Sequence, residues 1–191
     1  MTMEFQEFLT FDNAEMIAPI GLSFGMHSRG ADMFLLQIIG DKDSPIRANE
    51  RMIAFDDESV CRSAVELLKP LLPNGVRVEQ KYDFLCDIYS AIRLVTKERC
   101  DRDAVVLNCI NTLLDFVATG PFDLPDEYKI LVSLVDRLTF REEFGEFIQS
   151  KSLIQNGLLW CAGMTVVDLT MVRTLTEFES LLSNLSAAPH K

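Results

Sequence analysis

The chain has 191 residues, of which 48% are hydrophobic and 25% charged, with a formal net charge of -11 at pH 7. That length and composition are enough to bury a proper core and exclude wholesale disorder. No apolar run approaches the roughly 20 residues that a membrane span needs, and the acidic balance opposes phosphate backbones and anionic lipid, so neither nucleic acid nor membrane is an expected partner.

The acidity is not a tail. Seven basic and 12 acidic residues precede Val78, and 11 basic and 17 acidic ones follow Arg77. A surface of this kind keeps a protein soluble and equally suits a basic protein partner. The five cysteines (Cys61, Cys86, Cys100, Cys109 and Cys161) are odd in number, irregularly spaced and without a CxxC pair. They read as free thiols of a reducing compartment, acting as small hydrophobes rather than as a disulfide framework. Glu4 and Glu7 stand where a secretory signal would carry Lys or Arg. The expected location is therefore cytoplasmic.

In chain order, Phe5, Phe8 and Leu9 have helical spacing, which predicts a short helix broken at Asp12-Asn13. From Glu15 to Gly40, two apolar segments flank the polar link Gly25 to Asp32, the pattern of a β-hairpin. The second segment, Met33 to Ile39, is apolar on both faces and reads as a buried central strand. Asp41 to Glu50, with Pro45, is expected to be a surface loop, and Arg51 to Phe55 a third strand. Asp56 or Asp57 then caps a helix with the stripe Val60, Ala64, Leu67 and Leu68, ending before Pro70. Pro70 to Val76 is the expected boundary if the single domain divides into two lobes, near residues 70–77.

A helical block follows. Tyr82, Leu85, Ile88, Tyr89, Ile92 and Val95 form one periodic set, Val105 to Val117 a second, and Ile130, Leu131, Leu134, Val135 and Leu138 a third. Asp101 or Asp103 caps the second helix, which Gly120-Pro121 ends, and Asp123 and Pro125 open the third. Thr139 to Glu142 has the spacing of a capping box and predicts a fourth helix through about Gln155, closed by Asn156-Gly157. Leu158 to Val167, with its β-branched residues and an internal glycine, reads as a strand, and Met171 to Thr174 as another. Thr176 to Glu179 is a second capping-box pattern opening a last helix over Phe178, Leu181, Leu182 and Leu185. Met52–Leu68 and Met171–Leu185 thus share one plan, a short strand, a cap and an amphipathic helix. The expected fold is α+β: a small, mostly antiparallel sheet from about 15–55 and 158–174, packed on a helical block of about 78–155.

Chemistry is thinly signalled. The hairpin link gathers His27, Ser28, Arg29 and Asp32, which combine a group that titrates near neutrality with an anion binder. The other histidine, His190, lies near the C-terminus, so a histidine metal site is not expected, and no cofactor motif is present. No GxSxG elbow, GxGxxG or GxxxxGK[ST] occurs. Acidic clusters at Asp56-Asp57-Glu58, at Asp123 with Asp126 and Glu127, and at Glu142, Glu143 and Glu146 fall at expected helix starts, where the helix dipole favours them. Trp160, the one tryptophan, fits either the core or an interface anchor. The leading expectation is a non-catalytic protein of inhibitor, immunity or chaperone-like type that binds a basic protein, with Trp160, Asp126, Glu127, Glu142, Glu143 and Glu146 as the interface. The alternatives are an enzyme or ligand-binding domain built on the His27 link, and a homo-oligomer joined through an apolar face of residues 78–138.

Overall fold

A computed structural model of the chain describes residues 14–26, 30–41, 43–48, 50–80, 84–97, 103–141 and 149–187. The expected N-terminal helix lies outside them. The described residues within 1–22, 32–85 and 169–191 pack into one compact unit, and those within 23–31 and 86–168 into another. The fold is α+β, with a mixed eight-stranded sheet and six α-helices among the described residues.

The sheet begins with the hairpin. β1 (Ala14–Ser23) and β2 (Met33–Gly40) pair antiparallel from Ala14↔Gly40 to Leu22↔Met33, with an irregularity between Ala14 and Met16. Asp32 closes the link by donating its backbone N–H to the Leu22 carbonyl at 2.7 Å. β2 is central: β1 lies on one side of it and β5 (Arg51–Phe55) on the other. Leu35 and Leu36 are fully shielded there, as a strand apolar on both faces requires.

Residues 41–50 are not the surface loop their polarity suggests. They hold two short strands, β3 (Ser44–Pro45) on β2 and β4 (Arg47–Ala48) on β5. Ile46 lies between them, buried, its N–H bonded to Leu36 O and its carbonyl to Ile53 N. One apolar side chain in a polar stretch anchors the segment to the sheet.

α1 (Glu58–Leu68) starts at Asp57, whose backbone is extended and whose carboxylate accepts the N–H groups of Ser59 and Val60. Its buried face is Cys61, Ala64, Val65 and Leu68 rather than the expected stripe through Val60 and Leu67. A 3-10 turn over Lys69–Leu71 and a bend at Gly75 (φ +98°) lead to β6 (Arg77–Val78), which runs parallel to β1. β7 (Phe84–Asp87) also pairs with β1.

The late strand joins the early sheet. β8 (Leu169–Val172) pairs parallel with β5, from Met52↔Leu169 to Phe55↔Val172, and Arg51 Nη2 reaches Leu169 O at 2.6 Å. β8 feeds the final helix, α6 (Leu175–Ala187), which packs against α1. The two strand–cap–helix segments therefore lie side by side, with Phe178 edge-on to Phe55 at 5.6 Å between ring centres. The capping box of α6 sits two residues earlier than Thr176. Thr174 Oγ1 accepts the Glu177 N–H, and the Glu177 carboxylate accepts the N–H groups of Arg173 and Thr174.

In the second unit, α2 (Ile88–Thr96) begins at Asp87, which caps Ser90 N–H. The periodic set read from Tyr82 onward is therefore too long: Leu85 belongs to β7, and Tyr82 lies outside the described residues. α3 (Asp103–Ala118) buries Val106, Cys109, Ile110, Leu113, Leu114 and Val117 as expected, but Val105, first of that set, is exposed. α4 (Asp126–Arg141) starts directly after Pro125 and buries Leu131, Leu134, Val135 and Leu138, while Ile130 is exposed. Thr139 and its neighbours continue α4 instead of opening a new helix. The next helix, α5 (Lys151–Val167), contradicts the expected strand over 158–167. Its buried residues Ile154, Gly157, Leu158, Cys161, Ala162 and Thr165 recur at helical spacing straight through Asn156-Gly157. α5 packs against α2, α3 and α4. Among the described residues, the sheet thus draws only residues 169–172 from the late region, and helices α2 to α5 lie between residues 88 and 167.

Candidate functional site

Of the hairpin-link residues, His27, Ser28 and Arg29 lie outside the described residues. Asp32 is buried at the base of β2. The link leaves β1 through Gly25, whose φ of +81° and close approach to the Tyr89 ring, 2.7 Å from a would-be Cβ to Cγ, leave no room for a side chain. Arg93 covers the same ring, 5.4 Å from its centre.

Beside β8 and α6 lies an open groove of about 360 Å³, lined by residues including Thr170, Met171, Thr174, Glu177 and Ser180. Its one carboxylate among the described residues, Glu177, already holds two backbone N–H groups in the capping box. The groove offers hydroxyls and apolar surface and no evident general base. No group of three or more His, Cys, Asp or Glu is arranged to hold a metal ion among the described residues.

The feature least accounted for by folding alone is α5. From Ser152 to Val167 it carries no charged side chain. A surface helix normally sets a charged or polar face against water, and a helix without charge is expected mostly inside a core. One side of α5 does lie there. The opposite side carries Leu159 at 49% exposure, Val166 at 49% and Val167 at 60%, with half-buried Trp160 and exposed Gly163 between them. The spacing i, i+1, i+4, i+7 and i+8 makes these one continuous stripe. Among the described residues, nothing beyond the backbone of its own helix stands within 4 Å of a Cβ built on Gly163, so the middle of the stripe is open. Although apolar, α5 is not long and apolar enough to cross a membrane, nor is any other helix among the described residues.

α4 sets the position of the stripe's aromatic end. The Tyr128 ring lies 5.7 Å from the half-buried Trp160 ring at 43°, a tilted pair. Asp126 sits at the start of α4 with its side chain 92% exposed, in an i,i+3 ion pair with Lys129. That pair is solvated and weak. Of the other acids proposed for the interface, Glu127 lies in the first turn of α4, and Glu142, Glu143 and Glu146 lie outside the described residues.

Comparison with family models, curated proteins and solved structures gives no match. Sequence reasoning singled out Trp160 but missed Leu159, Val166 and Val167, because reading 158–167 as a strand dispersed them over two faces. The absence of charge across 16 helical positions, 152–167, was the signal that could have assembled them.

Buried thiols form a second cluster. Cys86, Cys109 and Cys161 are all shielded in this unit, and Cys61 in the other. Burial pushes the Cys61 and Cys161 thiols up to about 12. The Cys86 thiol beside it, together with burial, pushes Cys109 well above the ordinary range.

Proposed function

We propose that this chain is a non-catalytic protein-binding module, of the inhibitor, immunity or chaperone-like kind, and that the outer stripe of α5 is where its partner docks. The observation that carries the reading is a helix uncharged from Ser152 to Val167 whose C-terminal half exposes Leu159, Val166 and Val167. A partner would bury Leu159, Trp160, Val166 and Val167, and the aromatic anchor would supply a disproportionate share of the affinity.

Charge chooses the kind of partner. At -11 per chain, a second copy brings strong like-charge repulsion, whereas a basic protein is drawn in. The reading is thus a basic partner that reaches the apolar stripe past Asp126 and the general acidic surface. The odd number and irregular spacing of the cysteines support a cytoplasmic setting.

The test compares the full chain with its Leu159→Glu/Val167→Glu variant as bait in native extract, at low and at moderate salt. The expected result is a basic protein held stoichiometrically by the parent chain at low salt, released by moderate salt, and lost from the variant. Equal capture by both baits, or a complex indifferent to salt, overturns the proposal. Because both substitutions lie on the exposed side, an unchanged melting temperature shows that loss of binding is not loss of folding.

A further inference from the structure

Cys86 ends β7, immediately before the residue that caps α2, and Cys109 lies within α3. Their Sγ atoms stand 3.0 Å apart. The Cys86 thiol also faces the Cys109 carbonyl oxygen at 3.8 Å. The separation is closer than ordinary non-bonded sulfur contact and about 1 Å beyond a covalent S–S bond. Both side chains are fully buried, at 0% and 1% exposure. Packing alone asks only for two small hydrophobes here. It does not ask that two sulfurs, 23 positions apart in sequence on separate elements, meet head to head.

We propose that Cys86 and Cys109 form an oxidative modification site, converted by hydrogen peroxide into an intramolecular disulfide. The proposal is independent of the partner-binding role of α5. One thiol loses its proton to solvent during a local opening, and the thiolate attacks the outer oxygen of the peroxide. The O–O bond breaks, a sulfenic acid forms, and the departing hydroxide takes up a proton to leave as water. The second thiol then attacks the sulfenic sulfur, the S–S bond forms, and a second water leaves. Two thiols are oxidised by two electrons and one peroxide is reduced to two waters.

Burial selects the oxidant. A peroxide is close to water in size and needs only a small opening, whereas a protein disulfide or glutathione disulfide needs its own sulfur brought in line with the buried thiol. The raised Cys109 thiol makes the closed state slow to react, so the site responds to sustained exposure. Once formed, the bond ties the start of α2 to α3.

The test treats the folded full-length chain with hydrogen peroxide, unfolds it with alkylating agent present, and maps the peptides by mass spectrometry. The expected product is a cross-linked Cys86–Cys109 peptide pair, two hydrogens lighter, restored by dithiothreitol. It forms in the parent chain and in Cys161→Ala, and is lost in Cys86→Ala and in Cys109→Ala. Cys86 and Cys109 both remaining free to alkylate after peroxide would overturn the proposal. So would isolated sulfinic acids, or a cross-link that instead joins Cys109 to Cys161 or either cysteine to Cys100. The parent chain alone decides, so a variant that fails to fold does not rescue the idea.

Discussion

The Cδ1 methyl of Leu131 stands where a Cβ on Gly157 would have to be, with Ile110 Cδ1 next nearest at 3.5 Å. α4 and α5 therefore meet at a glycine, in a contact where Leu131 is fully buried and has little freedom to move aside. The Asn156-Gly157 pair that resembles a helix stop instead lies inside α5, where Leu131 of α4 packs against it.

This sets the sign of Gly157→Ala. In an exposed helix the change stabilises by about 1 kcal/mol, but here overpacking costs about 1–3 kcal/mol. The expected net effect is a loss of about 1 kcal/mol, read from denaturant unfolding. In a Leu131→Ala background the clash is gone and the same substitution becomes neutral or stabilising. A loss of equal size in both backgrounds would show that Leu131 is not the obstacle.

The α6 cap is reciprocal, with Thr174 and Glu177 each satisfying the other's backbone. Thr174→Ala and Glu177→Ala are each expected to cost about 1 kcal/mol, and the double variant less than the sum, because the two groups act as one unit. Thr176→Ala, at the site the sequence pattern favoured, is expected to change stability by less than about 0.5 kcal/mol. Unfolding midpoints of the four proteins check the assignment.

Asp57 gives the acid limb a definite sign. The Ser59 hydroxyl, followed by the Val60 and Ser59 backbone N–H groups, holds its carboxyl below the ordinary aspartate value. A carboxyl lowered in the folded state adds stability above its unfolded value of about 3.9 and loses it as pH falls below that value. Asp57→Asn retains an acceptor for the cap without the titration. Its melting temperature is therefore expected to fall less steeply than the parent's below about pH 4.

The thiols act at the other end of the scale. Cys61 and Cys161 titrate near 12 in the folded chain, chiefly from burial, against about 8.5 when unfolded. Their contribution is complete below the unfolded value and declines as pH rises toward the folded one, at about 1.4 kcal/mol per pH unit for each thiol. Cys61→Ala is expected to flatten the alkaline limb of a stability–pH curve. At pH 8, iodoacetamide is expected to spare both thiols in the native chain and to label both on unfolding.

Local chemistry made much of this protein legible. The hairpin of β1 and β2, the cap at Asp57, the Gly120-Pro121 stop and most of the core stripes of α3 and α4, though not their first members Val105 and Ile130, follow from turn, cap and period signals within a few residues. The α+β class follows from them. Where local signals compete, the sequence misleads. A β-branched run with a glycine is a fair strand locally, but at 158–167 helical burial against α2, α3 and α4 outweighs that preference. Two capping-box patterns lie close to one helix start, and the real one is Thr174–Glu177 because the chain leaves β8 at Val172. The parallel pairing of β8 with β5, the apolar stripe left on α5, and the meeting of Cys86 with Cys109 were decided by tertiary structure alone. Each joins or exposes residues through packing between segments distant in sequence, and a periodicity of three or four residues cannot specify which face a neighbour will cover.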